Sequence, residues 1–346
     1  MSQLTGPVPD TVFPRLGWVD DLVVPALREA VGALPAAEAR VAGYHRGWTE
    51  ADGAPVESTP RRGKAVRPAL TLLSALAVGG SARDALPGAV AVELVHDFTL
   101  LHDDVIDGDA LRRHRPAAWS VFGTSAAVLA GDALLVAAMR AVSDVPCRSA
   151  AAVAELVGAL MELVEGQSAD VAFEEAPAVS VPQYLGMAGG KTGSLMGCAC
   201  ALGGVLAGAD GERVGGLREF GRRLGVAFQC ADDVLGIWGR SRRSGKPVGS
   251  DLAARKKSLP VVAALAGEGA AARELRALYA SPHPLAEQEV VVARELVERA
   301  GGREAAEEEA RRQLAEALRA LSYARPSADV YRQLQEIAWA MVRRDA

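Results

Sequence analysis

The sequence predicts an all-α fold. Apolar residues recur at helical spacing over most of the chain. Segments of alternating β-branched residues, the mark of half-buried strands, are nearly absent. Half of the 346 residues are hydrophobic, so a large core can form.

Along the chain, residues 1–14 form a loose N-terminal arm with Pro7, Pro9 and Asp10. A secretion signal would need an apolar run there, so a cytoplasmic protein is expected. The segment Glu50–Arg62 holds Gly53, Pro55 and Pro60 and reads as a loop. In Val153–Val164, two sets recur at helical spacing: Leu156, Leu160 and Leu163, and Val157, Met161 and Val164. Thr192–Ala209 has no charged residue and is rich in Gly, Ala and Cys. It is only weakly hydrophobic, which fits a helix packed closely on a neighbour better than a membrane span. Arg240–Lys257 is polar, basic and Gly-containing, and reads as a second, longer loop. In Ala305–Ser322, Leu314, Leu318 and Leu321 form one stripe and the remainder is a solvated face. No repeat or linker divides residues 15–346, so one domain is expected there.

Composition excludes some functions. The net charge of −5 provides no basic field for nucleic acid, and 5% aromatic residues provide no base-stacking surface. Cys147, Cys198, Cys200 and Cys230 have neither zinc-site spacing nor the density of a disulfide framework. Reduced core thiols are the expectation.

The chemistry is carried by two acidic clusters. Asp103-Asp104-Val105-Ile106-Asp107 lies in the apolar run Phe98–Ile106. On a helix, residues four apart lie within roughly 40° of each other, so Asp103 and Asp107 project from one face. A hard divalent cation relieves their repulsion, and Mg²⁺ favours carboxylate and phosphate oxygens. In isolation such a pentapeptide is as often a solvated acidic turn, but unpaired carboxylates are costly beside apolar residues. Asp232-Asp233 follows Val226–Gln229 in a similar run. Facing each other across a cavity, the two clusters could hold several Mg²⁺ ions and, through them, a diphosphate.

Cations lie nearby. Arg112-Arg113 follow Asp107 by one and a half helical turns, Lys64 and Arg67 are three apart, and Lys246 and Lys256 lie in the second loop. Each pair alone is usually a solvated surface; together they suit phosphate oxygens. Gly190-Lys191-Thr192 is not a nucleotide loop, because Leu185 stands where that motif needs Gly and no strand precedes it.

From Gly63 to Pro260 the chain resembles the all-trans polyprenyl diphosphate synthases. The resemblance rests on Gly63-Lys64-Ala65-Val66-Arg67-Pro68, on Leu101–Asp107 followed by Arg112-Arg113, and on Gly190-Lys191-Thr192. It continues through Phe228-Gln229 with Asp232-Asp233, then Gly245–Leu252 and Lys256, all in the family's order. It implies an isoprenoid synthase helical bundle around a deep central cavity, usually a homodimer. It also implies Mg²⁺-dependent condensation of isopentenyl diphosphate with an allylic diphosphate. In that family Asp103, Asp107 and Asp232 correspond to metal ligands, with Asp104 and Asp233 in support. Arg112, Lys191, Lys246 and Lys256 correspond to the allylic diphosphate site. Lys64, Arg67, His96 and Arg113 correspond to the isopentenyl diphosphate site. Thr192 and Gln229 lie beside the reacting carbons. Read alone, a His on an apolar run such as His96 is more often a satisfied core residue.

Phe98 and Thr99, five and four positions before Asp103, resemble the geranylgeranyl type in the chain-length region, although a lone Phe is commonly core packing. One position departs from the family. Gly236 stands where the second motif usually ends in a third Asp, and the expectation is weaker Mg²⁺ binding that Gly236→Asp would strengthen. Two other functions are weighed. A terpene cyclase of the same fold would not need Lys64, Arg67, His96 and Arg113 together. A non-catalytic partner subunit has only Gly236 in its favour.

Overall fold

The computed structural model describes residues 16–56, 65–239, 249–280 and 283–343. The predicted arm 1–14, Lys64 and Lys246 lie outside the described residues. The fold is all-α, as the periodicity predicts. The first helix, α1 (Gly17–Gly32), buries Val19, Val23, Leu27 and Val31, one residue per turn. Next come α2 (Ala36–His45) and α3 (Val66–Ala77). The long α4 (Leu86–Ile106) has Pro in its first turn, where a missing N–H costs no hydrogen bond.

Helix α4 stops before Arg112 and Arg113. Gly108 takes φ +67°, a left-handed conformation that ends helices cheaply. A small ladder follows, pairing β1 (Leu111–Arg112) with β2 (Arg115–Pro116). Arg113 and His114 turn the hairpin with φ of +51° and +65°, the signs of a type I′ turn. The helical placement expected for Arg112 and Arg113 is therefore corrected. The sequence shows no strand signal there because the ladder is only two residues long on each side.

After α5 (Ala118–Phe122), α6 (Thr124–Ser143) and α7 (Ser149–Glu175) form a pair. On α7 the two apolar sets part company. Leu156 and Leu163 are buried, while Val157, Met161 and Val164 are 42%, 68% and 53% exposed. Helix α6 is long and apolar enough to cross a membrane by length and composition. Its Ala127, Ala130, Leu134 and Ala138 are nonetheless buried within the bundle, against α4 and α2.

A capping box of Ser180 and Gln183 starts α8 (Val181–Ala188). A π-helical turn, Gly189–Gly193, joins it to α9 (Ser194–Leu206). As expected, α9 is buried almost throughout and packs on α3, α4, α7 and α10 (Gly211–Trp238). Its small residues allow this closeness: a Cβ on Gly203 would lie 2.7 Å from that of Ser74 on α3.

Part of the second predicted loop is helical. Ser250–Ala253 forms a short turn, α11, while residues 240–248 lie outside the described residues. Three helices, α12 (Leu259–Ala266), α13 (Ala270–Tyr279) and α14 (Glu287–Arg299), pack on one another around Val261, Leu275 and Leu296. Then α15 (Gly302–Leu321) lays Leu314 and Leu321 against α10, and α16 (Ala328–Val342) closes the bundle.

Candidate active site

Both acidic clusters sit at helix C-terminal ends, one on α4 and one on α10. His96, Asp103 and Asp107 share one face of α4, since seven residues make two turns and four make little more than one. Asp103 is half-buried and Asp107 is exposed. Burial pushes the Asp103 carboxyl pKa up; Lys191 opposes this, and the Asp107 charge adds to it.

Asp104, by contrast, points into the protein. Arg112 grips it, with Nε 2.7 Å from both Oδ1 and Oδ2 and Nη2 2.5 Å from Oδ1. The hairpin thus folds Arg112 back onto the helix end and leaves Arg113 exposed beside it.

At the second cluster the two acids also differ. Asp232 is exposed and Asp233 is buried. Asp233 accepts hydrogen bonds from the Tyr184 hydroxyl, from the Leu259 N–H at 2.7 Å and from Gln229 Nε2 at 3.0 Å. Burial pushes its carboxyl up to about 6 against the pull of these donors and of Lys256. Gln229 in turn accepts from Thr192 Oγ1 at 2.8 Å. The chain Thr192–Gln229–Asp233–Tyr184 ties the π-helical turn to α10.

At that turn α7 and the glycine segment nearly touch. A Cβ on Gly166 would overlap the Lys191 N–H and lie 2.6 Å from the Gly190 carbonyl carbon. A Cβ on Gly190 would lie 2.7 Å from the Glu162 carbonyl oxygen. This contact aims Lys191 at Asp170 of α7, with Nζ 2.6 Å from Oδ2. Lys256 lies in the same field. Desolvation works against its charge, but Asp170, Asp233, Asp251 and Asp107 outweigh it and raise its pKa. Both acidic clusters therefore act on one ammonium.

Two turns earlier along this face of α4, Arg67 begins α3 and His96 faces it. Among the described residues, the buried Arg67 Nε has no hydrogen-bond partner. Burial, then Arg67 and Arg113, hold the His96 pKa well below the usual imidazole range, so it is neutral at pH 7. Beneath lies an ion-pair group in which Arg46 binds Asp97 and, at 3.3 Å, Glu93. His45 beside it is pushed down to about 3 by burial and by Arg112, Arg113 and Arg46.

Phe98 and Thr99 lie between the two regions along α4. The Phe98 ring meets His102 edge-on at 4.7 Å, and His102 packs against Gly131 of α6 and lies 3.1 Å from the Val128 carbonyl oxygen. Thr99 keeps its hydroxyl on the His96 carbonyl at 2.8 Å and adds little bulk.

Asp170, Tyr184, Asp251 and the Arg46–Glu93–Asp97 group are functional candidates that sequence reasoning missed. The only local signal for Asp170 is its place in Gly166-Gln167-Ser168-Ala169-Asp170, four residues after a close-contact glycine. Among the described residues, no three acidic, histidine or cysteine side chains converge as a closed metal cage. The donor set still fits Mg²⁺. The ion commonly takes one or two carboxylates and completes its shell with water and substrate phosphate.

The sequence signature of the polyprenyl synthetase family matches residues 53–297. The chain is 46% identical over 308 residues to the geranylgeranyl diphosphate synthase of Mycobacterium tuberculosis, covering 88% of this chain and 87% of that protein. It is 41% identical over 344 residues to the (2E,6E)-farnesyl diphosphate synthase of the same organism, covering 96% and 94%. The crystal structure of a polyprenyl synthetase from Streptomyces coelicolor superposes with a TM-score of 0.89 at 43% identity, covering 94% and 98%. A polyprenyl synthase from Caulobacter crescentus, solved with calcium and isoprenyl diphosphate, superposes at 0.84 with 30% identity and 99% coverage of both chains. This chain belongs to the polyprenyl synthetase family, whose members use a divalent metal. It is a trans-prenyl diphosphate synthase of the short-chain type.

Proposed function

We propose that this synthase condenses isopentenyl diphosphate with an allylic diphosphate to give geranylgeranyl diphosphate, as a Mg²⁺-dependent cytoplasmic homodimer. The observation that carries the two-diphosphate reading is the shared face of α4. His96 sits near Arg67, whose buried Nε has no hydrogen-bond partner among the described residues, and Asp103 and Asp107 begin roughly 10 Å further along the same face. One end suits a diphosphate held by Arg67, His96, Arg113 and Lys64. The other suits a metal-borne diphosphate held through Asp103, Asp107 and Asp232, with Lys191, Lys246, Lys256 and Arg112 around it.

In this reading the residues divide the work. Mg²⁺, when bound, supplies charge that stabilises pyrophosphate as it leaves. Lys191 and Lys256, held by Asp170 and its neighbours, add fixed positive charge at the same place. The allylic C–O bond breaks and the double bond of isopentenyl diphosphate attacks the resulting cation. The new C–C bond forms and a proton leaves to the departing pyrophosphate, so no enzyme base is required. His96, neutral by its surroundings, donates a hydrogen bond to phosphate. Asp104 orients Arg112, and Asp233 orients Gln229 beside the reacting carbons.

The chain-length reading rests on Phe98 and the small Thr99, and on likeness to the mycobacterial geranylgeranyl synthase. The homodimer is supported by the exposed apolar set on α7, continued on α6 by Leu129 and Val136 at 55% and 68% exposure. The cytoplasmic placement agrees with four cysteines that are all unpaired. Residues 15–346 are read as one domain, because the helices that bear the site share its core with α1 and α16.

The test uses the purified chain alone with radiolabelled isopentenyl diphosphate and allylic primers of increasing length. A labelled twenty-carbon product that disappears when divalent cation is omitted is the expected result. Turnover without any divalent cation, or in the Asp103→Ala variant, would sink the metal assignment.

A further inference from the structure

His45 is the last residue of α2, and no step of the condensation uses it. Its side chain is 5% exposed, with Nε2 4.0 Å from Oδ1 of Asp97, beyond hydrogen-bond reach. Among the described residues the ring makes no hydrogen bond, and Asp97 is already bound by Arg46. Burial, then the charges of Arg112, Arg113 and Arg46, push the imidazole down to about 3. At pH 7 the ring is therefore neutral, with one N–H and one bare nitrogen.

The hairpin that carries Arg112 and Arg113 is docked on the same end of α2. The Tyr44 hydroxyl donates to the Pro116 carbonyl at 3.0 Å, and the Arg115 guanidinium lies 4.6 Å above the Tyr44 ring. The two hairpin arginines are held differently. Arg112 is bound by the Asp104 carboxylate, which offsets its charge. Among the described residues, Arg113 makes no hydrogen bond and no ion pair. It acts on both His45 and His96, and the two imidazoles act on each other. A guanidinium has only donors, so an acceptor must fix its direction. A carboxylate would also neutralise it; an uncharged ring nitrogen would not.

We propose that His45 is a positioning residue for Arg113. Its Nε2–H faces Asp97, which sets the tautomer, and its Nδ1 accepts from the Arg113 guanidinium. Arg113 is thereby turned toward isopentenyl diphosphate with its charge intact. This rests on the assignment of Arg113 to the isopentenyl diphosphate end of the site.

The test is steady-state kinetics on the full-length protein with Mg²⁺, one substrate saturating while the other is varied. His45→Ala is expected to raise KM for isopentenyl diphosphate roughly tenfold, the size of one hydrogen bond to a charged group. KM for the allylic diphosphate and kcat should change less than about twofold by the same reasoning. His45→Gln, whose carbonyl can accept, should restore most of the loss; His45→Leu, which has no acceptor, should not. In an Arg113→Ala background, His45→Ala should add little, because the group it steers is gone. Wild-type KM for isopentenyl diphosphate in His45→Ala overturns the proposal. So do equal increases for both substrates, a loss that adds in full to that of Arg113→Ala, or a His45→Gln variant no better than His45→Leu. If His45→Ala does not fold, His45→Leu carries the same comparisons. Arg113→Ala separates the two ways of failing. A raised KM there with wild-type KM in His45→Ala overturns the role of His45 alone. An unchanged KM in Arg113→Ala overturns the assignment of Arg113 and this inference with it.

Discussion

Within each acidic pair, neighbouring residues face opposite environments. Asp103 is half-buried and Asp232 exposed; Asp104 and Asp233 are buried and paired. Asp233 has three donors to satisfy, so Asp233→Asn leaves the Leu259 N–H and the Tyr184 hydroxyl with a poorer partner. A loss of about 3 kcal/mol in unfolding free energy is expected at neutral pH. Its pH dependence has a definite sign. The folded-state pKa, about 6, lies above the ordinary 3.8, so the folded chain binds the proton more tightly. The stabilisation from that proton is complete below 3.8 and is lost as pH rises through 6. Denaturant unfolding at several pH values should therefore show the gap between wild type and Asp233→Asn narrowing from about pH 4 to pH 6. A constant gap would count against the assignment. Phe98 offers a second test. If its ring limits the growing chain, Phe98→Ala lengthens the product by at least one isoprene unit, seen by chromatography of the dephosphorylated products. An active variant with unchanged product would return Phe98 to ordinary packing.

Helix α7 shows how one element serves two purposes. Its buried stripe anchors it on α9, and Gly166 lets the glycine segment approach close enough to place Lys191 against Asp170. Its opposite stripe is exposed among the described residues. Met161 stands in the middle of that stripe at 68% exposure. Burying a charge there without a partner costs several kcal/mol, enough to weaken association by several powers of ten. Met161→Glu should convert a particle of twice 36.0 kDa into one of 36.0 kDa by sedimentation. Wild-type protein that sediments as a monomer would remove the dimer from the proposal.

For the whole molecule, the arrangement matters more than any one group. The bundle sets a cation cluster toward one end of a single face of α4 and an acidic pair with lysines toward the other. Substitution on either side should then affect one substrate selectively. Arg67→Ala should raise the Michaelis constant for isopentenyl diphosphate by about a hundredfold, as expected for loss of a charge-assisted contact of about 2–3 kcal/mol. The constant for the allylic substrate should change little. Equal increases for both would mean that the two sites are wrongly assigned.

Residues whose chemistry repeats within a helical turn were legible at once. Asp103 and Asp107, Leu314 with Leu321, and the two stripes of α7 all follow from 3.6 residues per turn. The all-α class and the family resemblance needed nothing more. Local spacing could not say which α7 stripe would be buried, because that depends on which helix arrives from elsewhere. Nor could it find the partners that fold brings across long stretches of chain: Asp170 for Lys191, Tyr184 and the Leu259 N–H for Asp233, and Asp251 for Gly236. Gly236 is the clearest case. In the sequence it reads as a missing carboxylate; in the fold a Cβ there would meet the end of the Asp251 side chain, which arrives from α11. Periodicity records only neighbours within a turn or two. Contacts between distant helices are set by shape, here by glycines that allow backbones to meet, and shape emerges only when the whole bundle is packed.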